Sequence, residues 1–364
     1  MRTKRQFHLI LLLLLSLVGC KPAGQPQQKL PYLILEGQTM GTYYRITYGD
    51  SEQRNFQPGI DSLLQALNME VSTYIEDATI SRFNRADSSL SLFLDPYTGQ
   101  EDGYRNQHFL ANFLKAKDVY AKTSGYFDPT VMPLVNYWGF GYTPKKPVEA
   151  VDSSRVDTML LFVGFDKVQM AAAGQDTLFR KALPGVQLDF SALAKGYGVD
   201  LVAEFLAARG VENYLVDIGG EAIARGKSAR GDYWKIGINT PREDAAPDDI
   251  QTAVPLQNQA VATSGNYRNF YEAGGVKYSH TINPKTGFPE RNTLLSASVF
   301  ARDCMTADAY ATAFMAMGVD KAFALASQLP EVEAYFIFST PDGAMGIRYT
   351  AGLTPLFDEN TSQE

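Results

Sequence analysis

What this chain can fold into is constrained most by how its short apolar strands end. Strand-like runs at Tyr32–Leu35, Tyr43–Tyr48, Tyr214–Val216 and Ala260–Thr263 each close on glycine-bearing or small polar residues. The loops are Met40-Gly41-Thr42, Asp217-Ile218-Gly219-Gly220-Glu221 and Ala262-Thr263-Ser264-Gly265-Asn266; a fourth, Asp189 to Gly198, follows an apolar run at Val186–Leu188. Glycine at such places lets a backbone approach a ligand and aim amides at anionic oxygens, although each loop taken singly is an ordinary tight turn. Further strands are expected at Tyr233–Ile238, Gln251–Leu256, Leu294–Phe300, Glu333–Phe338 and Met345–Tyr349, with a hairpin formed by Lys167–Ala171 and Thr177–Lys181. Helical spacing relates Ile60, Leu63, Leu64, Leu67 and Val71, and again Phe109, Phe113, Ala116 and Tyr120 within Asn106–Lys122. Other helices are expected from the Asp189 loop to Arg209, over 306–317 and over 319–328. Strands and helices do not alternate strictly. The fold class is therefore α+β, with strand-rich mixed sheets and flanking helices in one large compact unit.

Size permits that unit, since 364 residues at 45% apolar bury a substantial core. The net charge is −7, and no cluster of Lys and Arg follows residue 5, so nucleic acid is excluded as a main partner. With three histidines and two cysteines, a His/Cys metal site is starved of ligands, whereas a cation held by oxygen stays open. A Cys20–Cys304 disulfide is arithmetically possible but unnecessary for a core of this size.

The N-terminus reads as an address. Arg2, Lys4 and Arg5 precede an apolar segment, Phe7–Val18, too short to span a bilayer and suited to a secretory signal. Its end, Leu17-Val18-Gly19-Cys20, resembles the lipobox of bacterial lipoproteins, which implies cleavage before Cys20 and lipid on its sulfur. The expected organisation is a signal at 1–19, lipidated Cys20 with a Pro- and Gln-rich tether to residue 31, a folded unit at 32–357 and a polar tail at 358–364.

The chemistry gathers in a few stretches. Thr306 can cap a helix running from Ala307 to Met317, on which Asp308 and Thr312, four apart, share a face. A carboxylate and a hydroxyl near a positive helix end suit a hard cation or phosphate. Lys195, in Ser191-Ala192-Leu193-Ala194-Lys195-Gly196, is well placed for a phosphate oxygen. Between Phe127 and Gly141, two prolines and alternating aromatics and glycines argue against any regular helix or central strand. That stretch reads as a rigid apolar loop lining something. His280 serves equally as a base, a stacking ring or a structural histidine.

Together these blocks resemble the ApbE family, the FAD:protein FMN transferases. The matching residues are Met40-Gly41-Thr42, Phe127-Asp128-Pro129-Thr130-Val131, Trp138-Gly139-Phe140-Gly141, Asp189 to Tyr197, Asp217 to Glu221, Ala262 to Tyr267, His280 to Gly287 and Asp303 to Thr312. The resemblance implies Mg²⁺-dependent transfer of the FMN half of FAD to a Thr or Ser hydroxyl of an acceptor protein, releasing AMP. It further implies that Asp308, Thr312 and the Ala192 carbonyl hold Mg²⁺. Met40, Tyr74, Tyr126, Phe127, Asp128, Asp189, Lys195 and His280 would contact FAD. His280, Asp189 and Asp308 are the candidates for the catalytic base, and the sequence leaves that choice open. The implied partners are a flavin-accepting redox subunit with a Ser/Thr acceptor motif and, through the lipid, a membrane on the periplasmic or extracytoplasmic side. This chain lacks the acceptor pattern, so it is expected to modify a partner and not itself. A Mg²⁺-dependent FAD pyrophosphatase giving FMN and AMP, or a non-catalytic flavin-binding lipoprotein, would use the same residues.

Overall fold

The structure, a computed structural model, describes residues 30–93, 106–142, 151–174, 176–242, 249–266, 270–273 and 276–358. The expected signal, the lipidation site Cys20 and the tether up to residue 29 lie outside the described residues, as do Tyr267, 243–248 and 359–364. Pro31–Glu364 form one compact unit.

The chain opens with a hairpin of β1 (Tyr32–Thr39) and β2 (Thr42–Gly49), turned by Met40 and Gly41 at φ 51° and 72°. Two positive φ angles in a two-residue turn match the right-handed twist of the flanking strands. Helix α1 (Gln57–Val71) buries Ile60, Leu64, Leu67 and Val71, as their spacing demands. Then come α2 (Thr79–Arg85), β3 (Ser89–Phe93) and α3 (Gln107–Lys122). The stretch after Phe127 does contain a helix, α4 (Met132–Tyr137), against the expectation of an irregular loop. Pro133 falls in its first turn, where a missing N–H forfeits no intrahelical bond. After α5 (Ser153–Leu160) come β4 (Val168–Ala173) and β5 (Asp176–Lys181), and β5 pairs with both β3 and β4 in a small three-stranded sheet. Val186–Leu188 joins no ladder, because the Asn84 side chain takes both the N–H and the carbonyl of Leu188 (2.7 and 2.8 Å).

Helix α6 (Ala194–Ala207) leads into β6 (Asn213–Ile218), β7 (Glu221–Arg225), β8 (Trp234–Asn239), β9 (Ile250–Leu256) and β10 (Ala260–Gly265). A short hairpin, β11 (Phe270–Ala273) with β12 (Val276–Ser279), precedes β13 (Leu294–Ala301). The chain finishes with α7 (Cys304–Met317), α8 (Val319–Ala326), β14 (Val332–Ser339), β15 (Met345–Tyr349) and α9 (Thr354–Asp358). The main sheet has eight strands in the order β1-β2-β6-β7-β10-β13-β14-β15. Its pairings are all antiparallel, where mixed sheets were expected. Tight turns within β1–β2, β6–β7 and β14–β15 leave no room for the crossovers that parallel pairing needs.

Both faces of this sheet are covered. On β14, Ala334 and Phe336 join the core beneath α3 and α7, while Tyr335 and Ile337 pack with Trp234, Val254 and Leu256 of the β8–β9 hairpin. Burial on two faces explains why β14 reads as a continuous apolar run over Ala334–Phe338 instead of an alternating one. Helix α7 lies innermost, with every residue buried except Thr312 and Met317.

Register then decides where the loops go. Tyr44 pairs with Ile218, and Val261 with Ala222, so the turns at Met40–Gly41 and Gly219–Gly220 and the end of β10 fall on one edge of the sheet. Antiparallel pairing brings together stretches some 220 residues apart.

Candidate active site

At that edge α7 passes beneath a cleft of about 750 Å³. The helix begins earlier than expected: its N-cap is Asp303, whose carboxylate accepts from Thr306 N at 2.8 Å, so Thr306 is a residue of the first turn and not the cap. A second carboxylate reinforces this end. Asp200 on α6 accepts from Cys304 N and Met305 N at 2.7 and 2.8 Å, satisfying two of the helix's orphan donors. Cys304 is a free, buried thiol. The first turn of α7 is thereby fixed, and one turn on it presents Asp308 and Thr312 to the cleft as their spacing requires.

Asp308 is only 2% exposed. Its Oδ2 accepts from Gly196 N at 3.0 Å, a contact possible because residue 196 has no side chain; a Cβ there would stand 2.4 Å from the Cys304 carbonyl oxygen. Lys195, on the same first turn of α6, places its ammonium 3.0 Å from Glu221 Oε1 and 3.9 Å from Asp308 Oδ2. Burial pushes both carboxyls upward, opposed by the ammonium, and Gly196 N also opposes the rise at Asp308. For Lys195 burial acts downward, yet Asp308 and Glu221 outweigh it and raise the ammonium above the ordinary lysine range. Two carboxylates around one ammonium leave an electronegative spot of hard oxygens. Glu221 Oε2 is buried with no hydrogen-bond partner among the described residues.

The expected site residues converge. Tyr74, Tyr126, Phe127, Asp128, Asp189, Ala192, Lys195, His280, Asp308 and Thr312 all line this cleft. Met40 does not; it lines an adjoining cavity of about 970 Å³ that shares Tyr74, Asp189 and Lys195 with the first. Phe140 meets the His280 ring edge-on at 6.4 Å, and with Val131, Met132 and Val135 supplies the apolar wall foreseen for this stretch. The Phe127 ring is 3% exposed and belongs to the core. Asp128 Oδ1 is held by Thr130 N and Oγ1 (2.8 and 2.5 Å), and burial pushes its carboxyl up to about 6. Asp189 accepts from Ser191 N at 2.8 Å, with burial raising its carboxyl too. Ser264 Oγ lies 3.3 Å from Thr312 Oγ1, bringing the β10 loop to the same helix face.

Glu221 is the residue that sequence reasoning missed. It stood within a recognised block but carried no assigned role. Its one sequence signal is a carboxylate directly after a Gly-Gly turn; Gly219 and Gly220 sit at φ 65° and 102°, and Asp217 closes the turn through Gly220 N at 3.2 Å.

Among the described residues, no three His, Cys, Asp or Glu side chains cluster to hold a metal ion. The cleft lining instead offers one buried carboxylate, Asp308, and one hydroxyl, Thr312, with Ala192 in the same lining, a sparse oxygen set. That is the donor chemistry of an ion which keeps waters and phosphate oxygens in its shell. An apolar wall beside a lysine and such a set suits a ligand with a flat ring and a charged phosphate portion.

Comparison with known proteins identifies the family. Residues 40–336 match the model of the ApbE family. A FAD:protein FMN transferase of Vibrio cholerae is 36% identical over 344 residues, covering 93% of this chain and 95% of the relative. Among solved structures, the flavin transferase ApbE of V. cholerae superposes with a TM-score of 0.76 at 33% identity, covering 90% of this chain and all of the other. A flavinyl transferase ApbE of Pseudomonas stutzeri, in its apo form, gives 0.77 at 29% identity over 92% of this chain and 99% of that one.

Proposed function

This chain belongs to the ApbE family, and from that premise we propose that it is an FAD:protein FMN transferase. It transfers the FMN half of FAD to a Thr or Ser hydroxyl of a redox subunit and releases AMP. The observation that carries this reading is the meeting of Lys195, Asp308 and the aromatic wall at one cleft of about 750 Å³.

The oxygens of Asp308, Thr312 and Ala192 fit Mg²⁺, which when bound neutralises charge developing on the diphosphate. Lys195 lies beside this set and offers its ammonium to a phosphate oxygen. The wall of Tyr126, Val131, Val135 and Phe140 excludes water from a ring, with Tyr74 at the mouth, 73% exposed. An acceptor hydroxyl is a weak nucleophile and needs a base within reach, and His280, Asp189 and Asp308 all face the cleft. On this reading the protein works on the extracytoplasmic side, tethered to a membrane through lipid on Cys20.

The test is direct. The protein is incubated with FAD, Mg²⁺ and an acceptor subunit bearing a Ser/Thr motif. A flavin-fluorescent acceptor band with stoichiometric AMP is expected. Free FMN and AMP with no labelled acceptor would replace the transferase by a hydrolase, and bound FAD without either product would leave only a carrier.

A further inference from the structure

We propose that Glu221 is a positioning residue, the counter-ion that holds the Lys195 ammonium away from Asp308 and so keeps that carboxylate available to a divalent cation. The inference rests on the cation reading of Asp308 given above. Glu221 is 6% exposed and opens β7 directly after the Gly219–Gly220 turn. Its Oε1 lies 3.0 Å from Lys195 Nζ, while Asp308 Oδ2 stands at 3.9 Å, so the lysine is shared unequally and pairs first with the glutamate. Asp308 Oδ2 has a second anchor in Gly196 N at 3.0 Å, which fixes the carboxylate without neutralising it.

The physical reason lies in charge count. A buried ammonium beside a single carboxylate closes onto it, because the pair attracts strongly where water is scarce. An Asp308–Lys195 pair closed in that way would oppose a cation at the same oxygens. Glu221 supplies a second negative charge nearer to the ammonium than Asp308 does, and the lysine settles there. Its position is set by β7, whose Ala222 and Ile223 are locked in register with Val261 and Ala260 of β10. The lysine therefore remains in the cleft for a phosphate oxygen, and Asp308 keeps its charge for the cation. Glu221 need touch neither.

The experiment measures Mn²⁺ affinity of the flavin-free protein by the loss of the free-ion electron paramagnetic resonance signal, in wild type, Glu221→Gln, Lys195→Met and the double variant. Glu221→Gln should weaken Mn²⁺ binding about tenfold, because Lys195 then turns to Asp308. Lys195→Met alone should change it less than about threefold, whereas in the Glu221→Gln background it should restore most of the loss. That non-additivity separates positioning from the plain removal of a charge. Equal effects of Lys195→Met in both backgrounds would overturn the proposal. Glu221→Asp, which keeps the charge, should retain most of the affinity, and a loss matching that of Glu221→Gln would equally overturn it. A wild-type protein that binds no Mn²⁺ would remove the cation reading itself, a result distinct from binding without coupling.

Discussion

Asp308 shows how much one residue reveals and how much it withholds. Its spacing to Thr312 was readable, because a helix places fourth neighbours on one face whatever surrounds it. Its surroundings were not: Gly196 N, Lys195 and Glu221 come from positions 112, 113 and 87 residues earlier in the chain. The glutamate was passed over because its role depends wholly on that meeting. The local cost of the arrangement gives a prediction. Two buried carboxyls share one ammonium, so replacing Asp308 by alanine relieves like-charge crowding while leaving Gly196 N short of a partner, an offset of about 1 kcal/mol either way. Asp308→Ala should lower flavin transfer by about 10²-fold or more, yet keep its urea midpoint near that of wild type. Transfer at the wild-type rate would remove Asp308 from the chemistry.

At the scale of elements, local signals gave helices and strands well and their ends poorly. Thr306 looked like the cap of α7 because it precedes the apolar run, but Asp303 and the remote Asp200 hold the first turn. Helix α3 is similar. Its N-cap residue, Asn106, lies at φ 54° and makes no side-chain cap, and Glu70 from α1 accepts from Phe109 N at 2.9 Å instead. Burial pushes the Glu70 carboxyl up to about 7, against the backbone N–H groups of Phe109, His108 and Asn106. An acid raised in this way binds its proton more tightly when folded. Its contribution is fully present below the unfolded value near 4.5 and is lost as pH rises through about 7. Glu70→Gln should therefore flatten the decline of stability across that window, a difference on the order of 3 kcal/mol, read from urea midpoints at several pH values. Parallel curves for the variant and the parent would show that Glu70 titrates normally. Helix α4 teaches the opposite lesson about local rules. In sequence Pro133 reads as a breaker, although in a first turn it costs no hydrogen bond.

Across the whole molecule, Pro31–Glu364 holds its own core on both faces of the main sheet. Nothing in the proposed chemistry calls on residues before Pro31. A chain starting at Pro31 should thus transfer flavin in solution at the full-length rate, while Cys20→Ala in the full chain should release the protein from the membrane fraction without lowering its rate. Membrane retention of the Cys20→Ala variant would show that lipid on that sulfur is not the anchor.

The amino-acid order alone determined most of the strands and helices, though not α4, together with the loops that carry glycine and the side chains that can meet phosphate or a cation, because each follows from neighbours a few residues apart. The tertiary structure decided the antiparallel order that lays Met40–Gly41, Gly219–Gly220 and the end of β10 along one edge, and the pairing of Lys195 with Glu221 before Asp308. Register and burial govern those contacts, and both are properties of packed surfaces that no stretch of sequence contains by itself.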